Sequence, residues 1–208
     1  MTMTLDQSPR VRPADQRLRI AVLRLLFLLA LPLVLWTHSR WPVLPGAALR
    51  LAGTLCVFAA VLGRFWAILY IGGRKNAEVM RDGPYSICRH PLYLFSTLGV
   101  AGFGLMLQSL VLAALFGAAG FLVLSMTARR EERYLLAQFG PAYAAYRAEV
   151  PMLWPAPRRF RSRPEVRFRI DVLQRNFADA LVFLSALPLA EIVNQLHAHG
   201  RLLGIALP

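Results

Sequence analysis

Only two cysteines occur in 208 residues, which leaves no basis for a disulfide framework. Cys56 falls in an apolar run and Cys88 in a polar loop. Neither has a CxxC or Cys/His companion, so no metal ligand set can be assembled. Acidic residues are also scarce, 11 against 24 basic ones, and Lys75 is the one lysine among the latter. A Walker-type phosphate loop is missing. Gly102-Phe103-Gly104 lies inside an apolar run rather than after a strand, which excludes a soluble Rossmann-type core.

What the chain has in abundance is apolar sequence. Hydrophobic residues make up 57% of it, above the roughly 45–50% of soluble domains, and they are bunched into long runs. A transmembrane helix needs about 20 such residues. Candidate spans are Ile20–Trp36, Ala47–Ile71, Leu92–Leu107, Leu110–Thr127 and Ala178–Leu196. The third and fourth form a hairpin turned at Gln108-Ser109, and the fifth is interrupted by Pro188 and Glu191. The tail Leu202–Leu207 is too short to cross. The fold expected is therefore an all-α, polytopic integral membrane protein of about five transmembrane helices. Its divisions are a leader at 1–19, two spans in 20–71, a central region at 72–156, and a basic segment with a last apolar helix at 157–208.

The formal charge of +13 suggests nucleic acid at first sight. Its placement argues otherwise. Arg74, Lys75, Arg81 and Arg89 lie between spans two and three, and eleven more arginines, from Arg129 to Arg175, lie between span four and the last apolar stretch or at its approach. The opposite face has Arg40, with Arg50 at a helix end. Basic residues gather in cytoplasmic loops, so the amino terminus and both large loops are expected in the cytoplasm. The Arg158–Arg169 run reads as a surface that attracts anionic headgroups of the bilayer. No nucleic-acid partner is expected, and the oligomeric state is open.

Two polar segments adjoin the hairpin at the same membrane face. The first runs from Arg81 through Gly83-Pro84-Tyr85 and Cys88-Arg89-His90-Pro91 to Tyr93. Gly83-Pro84 reads as a turn, and Pro91 suits the first turn of the third span. Arg89 and His90 then sit at exposed helix N–H groups, a position that suits anions and polar ligand atoms. The second segment, from Arg129 through Glu131-Glu132 to Phe139, continues the fourth span as a helix stopped at Gly140. Tyr143, Tyr146 and Arg147 then share a helix face, which ends at Val150-Pro151. Singly, each feature also fits a snorkelling arginine, a solvated acidic pair or interfacial tyrosines.

Taken in order, Gly-Pro-Tyr, Arg-His-Pro-x-Tyr, a short hairpin, Glu-Glu, Phe-Gly-x-x-Tyr-x-x-Tyr and Val-Pro resemble the isoprenylcysteine carboxyl methyltransferase and phospholipid methyltransferase superfamily. The resemblance covers about Gly83 to Pro155. It implies an integral-membrane enzyme that transfers the methyl group of S-adenosylmethionine, with its cofactor pocket on the cytoplasmic side. Arg89, His90 and Glu132 would be catalytic. Tyr85, Arg89, His90, Pro91, Tyr93, Glu131, Glu132, Tyr143 and Tyr146 would border the cofactor. Aromatic faces suit a sulfonium through cation–π attraction, and a carboxylate suits the cofactor's ammonium group. Cys88 before Arg89, and Glu149 before Val150-Pro151, depart from the pattern, so the acceptor is open: a carboxylate, thiol or amine on a lipophilic or small molecule. The residues leave two rivals, an NADPH-dependent membrane reductase related to sterol reductases and a non-enzymatic lipid-binding membrane protein. If the source is bacterial, the inner membrane is the expected location.

Overall fold

A computed structural model describes residues 28–74, 77–166, 168–202 and 204–208. The expected leader at 1–19 lies outside the described residues, as does the first part of the Ile20–Trp36 span. The described end of that span, 28–36, is helical and is called α1 here. The helices that follow are α2 (Val43–Ile71), α3 (Pro84–Ile87), α4 (Pro91–Met106), α5 (Leu110–Phe139), α6 (Pro141–Glu149), α7 (Ile170–Leu184) and α8 (Ala186–Ala198). Three stretches are long and apolar enough to cross a membrane: α2, α5, and α7 with α8 taken together. The chain is thus an all-α, polytopic integral membrane protein.

Lipid contact explains a surface that water would not tolerate. Leu51, Leu55, Phe58 and Leu62 form an exposed stripe along α2, and Leu115 and Leu122 lie exposed on α5. Contiguous apolar patches of this kind mark membrane or protein contact. Among helices with such faces, association rests on close backbone approach. α4 is the central element, in contact with α2, α5 and α8. A Cβ on Gly53 would collide with the Gly102 carbonyl of α4, and one on Gly104 with the Ala113 backbone of α5. The glycines of the third span therefore serve helix packing.

The hairpin turn is as short as the sequence suggests. Gln108 takes a positive φ of 56°, and Ser109 caps α5 by accepting a hydrogen bond from Leu112 N–H at 3.2 Å. The last apolar stretch departs from a plain helix. It bends at Ser185, three residues before Pro188, because a proline has no N–H to give the carbonyl four residues back. Ion pairs hold this stretch to the core. Arg64 of α2 donates to Ser96 Oγ of α4 at 2.7 Å and to Asp179 of α7 at 3.1 Å, and Arg50 reaches Glu191 of α8 at 3.2 Å. Charges at such depth are expected to be paired.

A two-stranded parallel sheet, unsuggested by the sequence, joins β1 (Thr37–Ser39) to β2 (Ile205–Leu207). It closes the end that carries the hairpin turn. There Pro208 C=O accepts from Ser109 Oγ at 3.0 Å and from Val111 N–H at 3.2 Å. The other end, at the feet of the hairpin, carries the polar segments.

Candidate active site

Backbone geometry first brings the Gly-Pro-Tyr and Arg-His-Pro segments together. Gly83 has φ +59° and is pressed against the Tyr70 ring, so only glycine fits. Pro84 starts the single turn α3, and Cys88 returns the chain to an extended conformation. His90 is the residue before α4, and Pro91 occupies its first turn. Three backbone bonds bind this segment to the chain after α6. Arg89 N–H donates to Pro151 C=O (2.9 Å), His90 N–H to Met152 C=O (3.1 Å), and Ala156 N–H to Ile87 C=O (2.9 Å). α5 runs past the foot of α4 and so delivers Glu131 and Glu132 beside it. Its end is set by Gly140 at φ +51°, from which α6 departs.

Glu132 is the centre of the cluster and is 4% exposed. One of its oxygens accepts from Arg89 Nε at 2.7 Å and lies 3.3 Å from His90 Nε2. Its other oxygen is 3.5 Å from Arg147 Nε. Arg89 also donates through Nη1 to the carbonyls of Arg147 (2.7 Å) and Val150. A carboxylate in so dry a place is costly unless paired and hydrogen-bonded, and here it is both. Glu131 accepts from the Tyr93 hydroxyl at 2.8 Å and lies 3.7 Å from His90 Nδ1. His90 therefore has a carboxylate beside each ring nitrogen, and its ring stacks on Tyr93 with centroids 5.4 Å apart.

The tyrosines wall this cluster. Tyr143 and Tyr146 are both buried on one face of α6, with rings 5.9 Å apart. Tyr146 donates its hydroxyl to Tyr85 C=O at 2.7 Å, fixing α3 from above. Tyr85 is 5% exposed, and its own hydroxyl has no hydrogen-bond partner among the described residues. Burial pushes the Tyr85 phenol well above its ordinary pKa, and the neighbouring Tyr146 and Glu131 add to the shift. Burial likewise raises Tyr143 and Tyr146. It pushes the Cys88 thiol up to about 12, against a backbone hydrogen bond with His90 that lowers it. A region that resists new negative charge and contains carboxylates and ring faces is suited to a bound cation.

Every site residue named from the sequence thus lies at the foot of the hairpin. Arg89, His90, Tyr93, Glu131 and Glu132 are in direct contact, and Pro91 sets the helix start they share. Tyr143, Tyr146 and Tyr85 stand around them. Sequence reasoning left three contributors outside the site. Arg147, placed only on the tyrosine face of α6, reaches Glu132. Arg81 lies over the Tyr146 ring at 5.7 Å. Ser86 links the site loop to residue 161. Both Arg81 and Ser86 lie within the first polar segment, which is a signal of proximity but not of role.

Known proteins are similar to this chain in sequence. The family model described as phospholipid methyltransferase matches residues 41–142. The cobalt-zinc-cadmium resistance protein CzcN of Cupriavidus metallidurans is 37% identical over 187 residues, covering 89% of this chain and 86% of that protein. The nickel-cobalt-cadmium resistance protein NccN of Alcaligenes xylosoxydans xylosoxydans is 37% identical over 169 residues, covering 81% and 79%. The protein-S-isoprenylcysteine O-methyltransferase of Schizosaccharomyces pombe is 30% identical over 83 residues, covering 39% and 35%. No solved structure matches.

Proposed function

Because the chain belongs to the isoprenylcysteine carboxyl methyltransferase and phospholipid methyltransferase superfamily of integral-membrane methyltransferases, we propose that it methylates a lipophilic or small acceptor from S-adenosylmethionine at the foot of the α4–α5 hairpin. The acceptor atom belongs to a carboxylate, a thiol or an amine. The observation that carries this reading is the convergence of Arg89, His90, Glu131 and Glu132 beside the first turn of α4, ringed by Tyr85, Tyr93, Tyr143 and Tyr146.

The residues present fit the cofactor. S-adenosylmethionine supplies an activated methyl on a positively charged sulfur. The ring faces of Tyr85, Tyr93 and Tyr146 would hold that charge, and the unpartnered Tyr85 hydroxyl offers a hydrogen bond. Glu131 would face the ammonium group, while Glu132 fixes Arg89 and His90. Methyl transfer asks for in-line approach and little covalent help, so orientation supplies most of the acceleration. His90, held between two carboxylates, would relay a proton from an acid, thiol or amine acceptor to one of them. Pro91 and Tyr93 are themselves buried at the first turn of α4.

The names of two relatives associate them with resistance to cobalt, cadmium, zinc or nickel. Methylation of a membrane component within a resistance system accommodates both those names and the family. The asymmetry of arginines supports an orientation with the hairpin's feet in the cytoplasm, in a bacterial inner membrane.

The test is calorimetric binding of S-adenosylhomocysteine to detergent-purified protein, alongside NADPH. Binding of the first alone is expected, lost or sharply weakened in Glu132→Gln and Arg89→Ala. Undiminished binding in both variants removes the site. NADPH binding in place of S-adenosylhomocysteine transfers the fold to reductase chemistry.

A further inference from the structure

The sequence alone assigns Arg158–Arg169 to the membrane surface, yet the same segment is bonded to the loop that carries the site. Arg161 C=O accepts from Gly83 N–H at 2.7 Å, and Arg161 N–H donates to Ser86 Oγ at 3.0 Å. Arg163 Nε pairs with Asp82 at 2.8 Å. Ser162 Oγ is 2.7 Å from the Tyr70 hydroxyl of α2. Residues 161–163 therefore lie as a strap over the segment Asp82–Ser86, which includes Tyr85 of the site. Gly83 N–H and the Ser86 hydroxyl have these bonds as their tie to the rest of the chain.

The opposite side of the strap faces outward. The Phe160 ring lies 5.9 Å from Trp66, which sits five residues before the end of α2 and so about 8 Å inside it. Trp154 is 82% exposed. Aromatic residues in such positions mark the membrane–water boundary. Between them, Arg158 and Arg159 are exposed on a single 3-10 turn and pair with no carboxylate among the described residues. Two free guanidinium groups flanked by interfacial aromatics complement one kind of surface: anionic phospholipid headgroups in the leaflet that borders the site.

We propose that anionic phospholipids bind the turn at Arg158–Arg159 and, through the strap, order the Asp82–His90 segment on which the site is built. Headgroup binding thereby controls the readiness of the site. The strap is then a lipid sensor as well as an anchor. Its two ends are separable: Arg158 and Arg159 touch the lipid, and Arg161 and Arg163 touch the loop.

Full-length protein is placed in nanodiscs of phosphatidylcholine alone or with added phosphatidylglycerol, and amide hydrogen exchange is followed. Exchange at Asp82–His90 is expected to slow about five- to twenty-fold with phosphatidylglycerol, since each arginine contributes roughly five-fold at a surface. Arg158→Gln/Arg159→Gln should erase that difference and leave Gln108–Leu112, at the far end, unchanged. Asp82→Asn should keep lipid protection at 157–160 and diminish it at Asp82–His90. Equal exchange in the two bilayers overturns the proposal, as does a double variant that still responds. Slowing by inorganic phosphate added to phosphatidylcholine discs also overturns it, since the ligand is then a free anion. S-adenosylhomocysteine binding, measured in the same discs, should tighten with phosphatidylglycerol. Its absence from both discs counts against the methyltransferase reading, while the exchange data still decide the strap.

Discussion

Arg89 and Arg161 lie at the same end of the molecule, each reaching a glutamate, yet the two pairs are physically different. Arg89–Glu132 is 2.7 Å long between side chains 9% and 5% exposed. Arg161–Glu149 is 3.5 Å long between side chains 52% and 53% exposed. Water screens the second pair and can replace either partner. Nothing can replace a partner of the first. What holds Arg161 in place is its main chain, bonded to Gly83 and Ser86, so its charge is available for other uses. The charge of Arg89 is committed to Glu132 and to two carbonyls. Equal residue types therefore divide into a buried brace and an accessible strap.

That contrast breaks most sharply at the brace. Arg89→Ala leaves the Glu132 carboxylate buried with its closest partner gone, at a cost of about 3–5 kcal/mol. Thermal unfolding in detergent should report it. Arg89→Met/Glu132→Met should recover most of that stability without restoring S-adenosylhomocysteine binding. If the double variant is as unstable as the single one, packing and not charge governs the site.

Thiol chemistry sharpens the same point. Cys88 is fully buried, with its pKa pushed up from 9.0 to about 12. At neutral pH its thiolate should be about a thousand-fold rarer than that of an unperturbed thiol. Maleimide labelling of Cys88, mapped by mass spectrometry, should be absent in the folded protein and appear on denaturation. The raised pKa also fixes a pH window. The folded state keeps the proton that the unfolded state releases above pH 9. The contribution to stability is therefore complete below 9 and lost as the pH rises towards 12. The phenols of Tyr85, Tyr143 and Tyr146, raised in the same direction, extend that loss to higher pH.

Smaller effects test the scaffold and the strap. Gly104→Ala drives a Cβ into the backbone of Ala113 and should cost about 1–3 kcal/mol, measured as a lower unfolding temperature. Arg161→Ala removes an exposed pair and should change stability by no more than about 1 kcal/mol. A loss as large as that of Arg89→Ala would erase the distinction between brace and strap.

The parts of this structure legible in sequence are those with local causes. Pro91 in the first turn of α4, Gly140 at the end of α5 and the Gln108-Ser109 turn each follow from one or two residues. The long apolar runs give α2 and the hairpin nearly to their ends. That the candidate site residues lie together was legible because an ordered series of motifs named them. Illegible features depend on contacts between distant segments. The β1–β2 pairing joins three-residue strands from the two ends of the described chain, too short to leave a period. The strap is held by main-chain bonds at Arg161, which any residue there could make. Arg89 reaches the carbonyls of Arg147 and Val150, and carbonyls are not written in side-chain identity. Ser185 bends because of Pro188, three residues later, so the proline marks the interruption but not its place.

The brevity of α4 has a consequence for how the bilayer meets the protein. Its 16 residues span about 24 Å, against roughly 30 Å of hydrocarbon. Its neighbours α2 and α5 are nearly twice as long. A bilayer of that thickness would exceed the central helix, a mismatch that thinning or polar groups sinking inward would relieve. His90 and Glu132 stand at that helix's first turn. On the proposed function, the candidate site would then lie below the mean headgroup plane, at the level of the acyl chains. Under the proposed methyl transfer, a water-soluble donor and an oily acceptor would meet there at the boundary of their two phases.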